Sequence, residues 1–196
     1  MKQISLLFLK LFNTLRFRGY NFIVPNLIRL WSKKLKINGI PICQQKTIIT
    51  GSGNVIIGYK AKFGYKRGGF HRGGCIEVQA RYKDSKVIIG DHIATNNNIF
   101  ICSAGYIEIG DKVLIGQNVT IMDFEAHGVE IVKRNQVGSI GKILISNNVW
   151  IGNNVTILKN TEIGENTIVA VGAVVSGKFP SNVIIGGVPA KIIKNI

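Results

Sequence analysis

The chain has 196 residues, the length of one domain, with 25 Lys and Arg against 10 Asp and Glu. An apolar content of 46% with 23 Gly and only 4 Pro can build a core, and it excludes both a disordered chain and a collagen-like one. The charge is one-sided: residues 1–76 hold 14 Lys and Arg and no acid, while the other 120 residues carry 11 basic and 10 acidic side chains. A basic segment of this kind suits an anionic surface, whether nucleic acid, phospholipid headgroups or an acidic polymer. Nothing else points to nucleic acid, since zinc-finger spacing, an aromatic RNP-like strand and a helix-turn-helix pattern are all missing from the sequence. Cys43, Cys75 and Cys102 are odd in number and form no C-x-x-C pair, which predicts idle thiols in a reducing, cytoplasmic compartment rather than disulfides or a zinc site.

At the N-terminus Ile4, Leu7, Phe8, Leu11, Phe12 and Leu15 recur at helical spacing, with Lys2, Lys10, Arg16 and Arg18 mostly off that stripe. Lys10 ends the apolar run after nine residues and no small-residue cleavage site follows, so neither a signal peptide nor a membrane span is expected. A second amphipathic stretch follows Pro25, with Leu27, Ile28, Leu30, Trp31 and Leu35 beside Arg29, Lys33, Lys34 and Lys36. Two readings compete: a helical cap packed on the domain, or an interfacial helix lying peripherally on anionic lipid at the inner face of a membrane. Residues 1–50 are expected to form this basic helical segment.

The rest of the chain repeats every six residues. Ile145, Ile151, Ile157, Ile163 and Val169 head the hexads ISNNVW, IGNNVT, ILKNTE, IGENTI and VAVGAV. The same phase runs from Ile109 through Ile115 to Ile121, from Ile89 through Thr95 to Ile101, and from Ile57 to Phe63, with a two-residue excess between Ile101 and Ile109. A period of six fits neither an amphipathic helix nor strand alternation. It fits a solenoid in which each hexad is a short strand plus a turn and three hexads close a triangular coil. The aliphatic residue then points inward and stacks on its equivalents at strand spacing, while Gly, Asn and Asp make the corners, some at positive φ.

Between Ile121 and Ile145 the rhythm lapses for 23 residues, over 122–144, and then resumes. A solenoid accommodates such an excursion as a loop thrown from one corner, where function concentrates. Of the three histidines, His71 lies in the Gly/Arg-rich stretch KRGGFHRGG and His92 occupies a turn inside a hexad, whereas His127 sits at the root of the large insertion. An imidazole there can take the proton of a poorly nucleophilic hydroxyl as it attacks a thioester, an effect of about 10²–10⁴-fold. Asp123 and Glu125, four and two residues earlier, are candidates to orient that ring or hold a substrate.

The hexads resemble the hexapeptide-repeat left-handed parallel β-helix over roughly residues 50 to 190, a fold that breaks the right-handed crossover preference. IGQNVTIMDFEAHG, NNVWIGNNVTILKN and GGVPAKII, in that order, are similar to the galactoside, maltose and polysaccharide O-acetyltransferase branch of the hexapeptide acyltransferases. The resemblance implies an acetyl-CoA-dependent O-acetyltransferase acting on a sugar hydroxyl in surface polysaccharide biosynthesis, with His127 as general base and active sites between the subunits of a homotrimer. Asn96 matches an asparagine that reaches the active site, and the family counterpart of Trp150 lines the groove near pantetheine and acceptor. Asn153 falls near the thioester carbonyl, where a donor would meet the charge on a tetrahedral oxyanion. Val171 and Ser176 would line the cofactor, and Lys178 follows one position behind the family's lysine, which is Gly177 here. Lys191 and Lys194 fall where related enzymes direct cations at the nucleotide phosphates. An aspartate that holds the acceptor in the galactoside enzyme falls on Ala104, so the acceptor differs or is held otherwise.

Two alternatives share the repeat. A streptogramin-type acetyltransferase would use the same loop histidine on a xenobiotic, and a carbonic-anhydrase-like metal protein would need His71, His92 and His127 to converge although 21 and 35 residues separate them. No metal is expected. The chain is thus expected to comprise a helical segment 1–50, a β-helix 51–190 with its extruded loop, and a tail 191–196, its acceptor being a sugar or a lipid-linked oligosaccharide.

Overall fold

A computed structural model describes residues 11–196. Short strands wind into a three-sided prism whose sides are parallel sheets, called here A, B and C. Sheet A stacks β1 (Leu35–Ile37), β4 (Asn54–Ile57), β7 (Lys86–Ile89), β10 (Tyr106–Ile109), β13 (Lys142–Ile145), β16 (Thr161–Ile163) and β19 (Lys178–Phe179). Sheet B stacks β2 (Ile42–Cys43), β5 (Lys62–Phe63), β8 (Ala94–Thr95), β11 (Leu114–Ile115), β14 (Trp150–Ile151), β17 (Ile168–Val169) and β20 (Val183–Gly187). Sheet C stacks β3 (Thr47–Gly51), β6 (Ile76–Ala80), β9 (Phe100–Ser103), β12 (Thr120–Met122), β15 (Thr156–Leu158) and β18 (Val174–Val175). The architecture is that of the left-handed parallel β-helix.

The hexad residues form the core in register. On sheet A, Ile57, Ile89, Ile109, Ile145 and Ile163 sit over one another, and Ile101, Ile121 and Ile157 do so on sheet C. All are buried in one continuous cluster, each contributing about 1.5–3 kcal/mol of apolar burial.

The corners divide their labour among three positions. In the IGD and IGN hexads the glycine is needed for close approach: a Cβ on Gly90 would lie 2.5 Å from Asp111 Oδ1 in the next coil. The following acid or amide bonds the previous coil, as Tyr59 N–H donates to Asp91 Oδ1 (2.6 Å), Asp91 N–H to Asp111 Oδ1 (2.7 Å) and Asp111 N–H to Asn147 Oδ1 (2.8 Å). The residue after that takes positive φ, filled by Lys60, His92, Lys112 and Asn148. Asparagines in the left-handed region also ladder from coil to coil: Asn98 Nδ2 donates to Asn118 Oδ1 (2.8 Å) and Asn118 Nδ2 to Asn154 Oδ1 (2.9 Å).

The helical reading of residues 1–50 needs correction. Helix ends with a π-helical turn, Leu15–Ile23, and α1, Val24–Trp31; β1, β2 and β3 then form a complete first coil, so the prism begins at Leu35. Ile4, Leu7, Phe8, Lys2 and Lys10 of the N-terminal stripe lie outside the described residues. The helical segment does cap the open end of the prism. Phe22 is fully buried, Asn26 Nδ2 donates to Thr47 O (2.9 Å) while its Oδ1 accepts from Ile49 N–H (2.7 Å), and Asn21 Nδ2 donates to Cys43 O (2.7 Å). Two asparagines thereby satisfy edge strands that would otherwise stay open. Opposite this face Leu27, Ile28 and Trp31 remain exposed, the last two at 80% and 87%.

At the other end the expected tail is a strand. β21, Ala190–Asn195, lies antiparallel on β20 and extends sheet B, with Lys191 and Lys194 both exposed. No helix among the described residues is long and apolar enough to cross a membrane.

Candidate active site

The long loop, residues 123–141, leaves the prism at the edge between sheets C and A. Asp123 is fully buried at its root and accepts hydrogen bonds from Ser103 Oγ (2.6 Å), Ala104 N–H (2.7 Å) and Gly105 N–H (3.1 Å) of the coil before. Glu125 lies one step further out, accepting from Ser139 N–H (3.2 Å) and Ser139 Oγ (3.0 Å) and pairing with Lys159 at 3.1 Å. The Ser139 backbone donor, then Lys159, holds the Glu125 carboxyl below its ordinary range. The two sides of the loop are also tied by Glu125 N–H to Ser139 O, Gly138 N–H to Glu125 O and Gly128 N–H to Gln136 O.

These bonds fix His127, which is exposed above the root. Its Nδ1 lies 2.7 Å from the Arg134 carbonyl oxygen. A carbonyl only accepts, so Nδ1 carries the hydrogen and the neutral ring presents the Nε2 lone pair outward. Neither carboxylate meets the ring. Asp123 is spent on the coil below and is too buried to touch a substrate, and Glu125 staples the loop; the orienting role expected of them belongs to a backbone carbonyl that any residue type can supply. Beyond His127 the loop exposes Val129, Ile131 and Val132.

The other predicted residues fall into two groups on opposite sides of the prism. Ser176 is exposed on the same C-to-A edge as His127, and Lys178 beside it pairs with Glu162 at 3.0 Å on the outer face of sheet A. Lys178, helped by Lys142, keeps the Glu162 carboxyl below its ordinary range. Across the prism, on sheet B and its edge with sheet C, lie Asn96, Trp150, Asn153 and Val171, with Lys191 and Lys194 on β21. A cavity of about 510 Å³ opens here, lined by Trp150, Asn96 and Asn153 together with Gln44, Lys62 and Tyr65. Trp150 is 53% exposed and faces out from β14, available to stack. Asn96 is not the left-handed corner residue; Asn98 is, at φ 59°. Asn96 Oδ1 accepts from Asn97 N–H (2.9 Å), and Asn153 Oδ1 accepts from Gln117 N–H (2.9 Å).

Gln44, Lys62 and Tyr65 escaped the sequence reading because they belong to coils with weak hexads. The signal was present: Ile37, Cys43 and Ile49 are six apart, and 15 residues separate Phe63 from Val78. That gap is a second excursion, residues 64–75, at the B-to-C edge beside the cavity. Asn97, fully buried, clamps it by accepting from Tyr65 N–H (2.8 Å) and donating to Tyr65 O (2.8 Å) and Gly69 O (2.9 Å).

The three histidines occupy three different edges of the prism, His92 between sheets A and B, His71 between B and C, and His127 between C and A. Among the described residues no three His, Cys, Asp or Glu side chains converge. The cysteines are free; burial pushes the Cys43 thiol up to about 12 and that of Cys102 to about 11, so both stay protonated.

Residues 142–177 match the family described as bacterial transferase hexapeptide (six repeats). The chain is 38% identical to galactoside O-acetyltransferase of Escherichia coli (strain K12) over 114 residues, 57% of this chain and 55% of that protein. It spans little more than half the length of the curated relatives it matches. Among solved structures it resembles the polySia specific acetyltransferase NeuO, with a TM-score of 0.61 and 26% identity over 82% of this chain and 66% of the other. It also resembles galactoside acetyltransferase in complex with coenzyme A, with a TM-score of 0.53 and 25% identity over 83% and 64% of the two chains.

Proposed function

We propose that the chain, a hexapeptide-repeat β-helix, is an acyltransferase that moves an acetyl group from acetyl-CoA to a hydroxyl of a sugar in polysaccharide biosynthesis. The observation that carries the reading is His127, whose Nδ1–H is committed to the Arg134 carbonyl and whose Nε2 is left free on an exposed, well-anchored loop. Nε2 accepts the proton of the attacking hydroxyl, and the carbonyl stabilises the charged ring by holding its other N–H.

Bound acetyl-CoA supplies the acetyl group already activated as a thioester. The residues present fit it: Val171, Ile192 and Ile193 offer an exposed apolar strip on the last coils, and Lys191 and Lys194 stand beside it as point charges for phosphates. Asn153 and Trp150 line the end of the cavity nearest that strip. The buried Cys43 and Cys102 thiols stay protonated and make poor covalent relays, which favours direct attack.

His127 and the cavity lie on opposite sides of one prism, so each is half a site. A trimer in which the C-to-A edge of one copy lies against sheet B of the next would join them. The exposed Val129, Ile131 and Val132 on the loop support such a contact. The cationic, apolar outer face of the N-terminal helices supports peripheral contact with an anionic membrane.

The test is His127→Ala, assayed for transfer from acetyl-CoA across a panel of sugar acceptors with the assembly state measured in parallel. Loss of about 10²–10⁴-fold in turnover from an intact trimer is expected; near-normal turnover would refute the assignment.

A further inference from the structure

The outer face of sheet B continues past the acceptor cavity. Ile42, Lys62, Ala94, Leu114 and Trp150 stand in one column, each paired with the next across parallel strands. Lys62 is therefore three strand spacings, about 14 Å, from Trp150. From Lys62 the surface opens into a second hollow of about 580 Å³ bounded by Arg18, Tyr59 and Lys60. A third, of about 250 Å³, lies against Asn13, Phe17 and Arg18 of the N-terminal helical segment. Ile42 borders all three hollows, Lys62 joins the first to the second, and Arg18 joins the second to the third. They make one furrow from Trp150 to the helix.

Its chemistry changes in order along that path. The end at Trp150 is aromatic and amide-lined, with Asn153 in the same coil and Asn96 two coils below, and Tyr65 and Gln44 stand further along, in the coils of Lys62 and Ile42. The middle is cationic: Lys62, Lys60 and Arg18 are exposed, none forms an ion pair among the described residues, and Lys60 has only the Tyr59 ring, 5.0 Å away. At the far end the hollow meets Asn13, Thr14 and Phe17, and the same helical segment exposes Leu11, Phe12 and Leu15.

We infer that the acceptor is an amphiphile, a sugar carried through a phosphate or diphosphate on a lipid chain. The inference deepens the acetyltransferase reading and rests on it. A neutral free sugar gives three mutually repelling cations nothing to neutralise, whereas a phosphate linkage set between headgroup and lipid does. The lipid end then lies in the bilayer on which the exposed Leu27, Ile28 and Trp31, followed by Lys33 and Lys34, would rest.

The experiment is vesicle cosedimentation of the full chain. Phosphatidylcholine vesicles carrying a long-chain prenyl diphosphate are compared with phosphatidylcholine vesicles carrying phosphatidylglycerol at equal surface charge. Binding to the diphosphate vesicles should be tighter by at least about ten-fold. The combined change Arg18→Ala, Lys60→Ala and Lys62→Ala should abolish the preference while CoA binding by calorimetry stays unchanged, and Lys60→Arg with Lys62→Arg should keep it. Equal binding to both vesicles, which is a plain membrane contact, or a preference that survives the triple change would overturn the proposal. Acetyl transfer to soluble sugars and to a prenyl-diphosphate-linked sugar, run on the same preparation, separates the two readings. Its failure with the diphosphate preference intact would remove the sugar acetyltransferase and keep the lipid-phosphate site. Transfer without the preference would do the reverse.

Discussion

Loop 64–75 and loop 123–141 both interrupt the hexads, leave the prism at different edges and carry one histidine each, but they are fastened by different bonds. The first is held by neutral amides. Asn97 clamps Tyr65 and Gly69, and Gln45 Nε2 donates to Phe70 O (2.8 Å) while its Oδ-equivalent oxygen, Oε1, accepts from Asn98 N–H (2.8 Å). The second is held by carboxylates, Asp123 on the coil below and Glu125 on Ser139 and Lys159. In the first loop Lys66, Arg67 and Arg72 are left to solvent, and His71 has a buried Nδ1 with no partner among the described residues. In the second the histidine has one nitrogen tied and the other free. Amide anchors leave the cations of a surface loop available for an anionic partner, whereas carboxylate anchors hold a loop whose imidazole must point one way.

The largest effect should separate the histidines. His127→Ala removes the proposed general base, and turnover should fall about 10²–10⁴-fold, whereas His71→Ala should leave turnover within about two-fold, since surface changes away from such roles are small. Steady-state assays on both variants make the comparison, and equal losses would break it. Next come the anchors. Asp123→Ala strands a hydroxyl and two N–H groups in a buried site and should cost about 3–5 kcal/mol. Asn97→Ala loses three neutral bonds, for about 1–3 kcal/mol. Urea unfolding midpoints of the two variants, each with its slope, should rank them in that order, and a larger loss at Asn97 would reverse the distinction between the loops.

How much of this could be read in the sequence follows from what kind of group does each job. The prism was legible from Ile57 onward because its core positions need an aliphatic side chain every sixth residue and its corners need Gly, Asn or Asp. The first coil was hidden because Cys43 breaks the aliphatic series and Gln44, Gln45 and Pro41 replace the usual corner residues. His127 stood out because the rhythm stops just before it. Its partner could not, because the Arg134 contribution is a carbonyl that every residue carries. Asp123 and Glu125 looked like partners for the ring because they are its neighbours in sequence, but the chain turns at the prism edge and sends their carboxylates down and sideways. Lys62 was one cation among fourteen until the strand register set it below Trp150.

The smallest predicted effect is a pH dependence confined to one loop. The carboxyl of Glu125 titrates lower in the folded chain than when unfolded, so its anchor is fully present above the ordinary carboxylate range and is lost as pH falls through the lowered folded value. Protection of residues 123–141 from hydrogen exchange, corrected for the intrinsic pH dependence of exchange, should be flat from neutrality down to the ordinary carboxylate range and then weaken below it. Loop 64–75, whose anchors do not titrate, should keep its protection through the same interval. Glu125→Gln retains an acceptor for Ser139 but gives Lys159 no charge to pair with. Its loop should exchange somewhat faster at neutral pH and lose the step in acid. The readout is independent of turnover, so protonation of the imidazole does not confuse it. An equal step in both loops would mean that the prism as a whole loosens in acid, whereas a step in the long loop alone that Glu125→Gln removes would tie its hold on His127 to Glu125 and Lys159 rather than to Asp123.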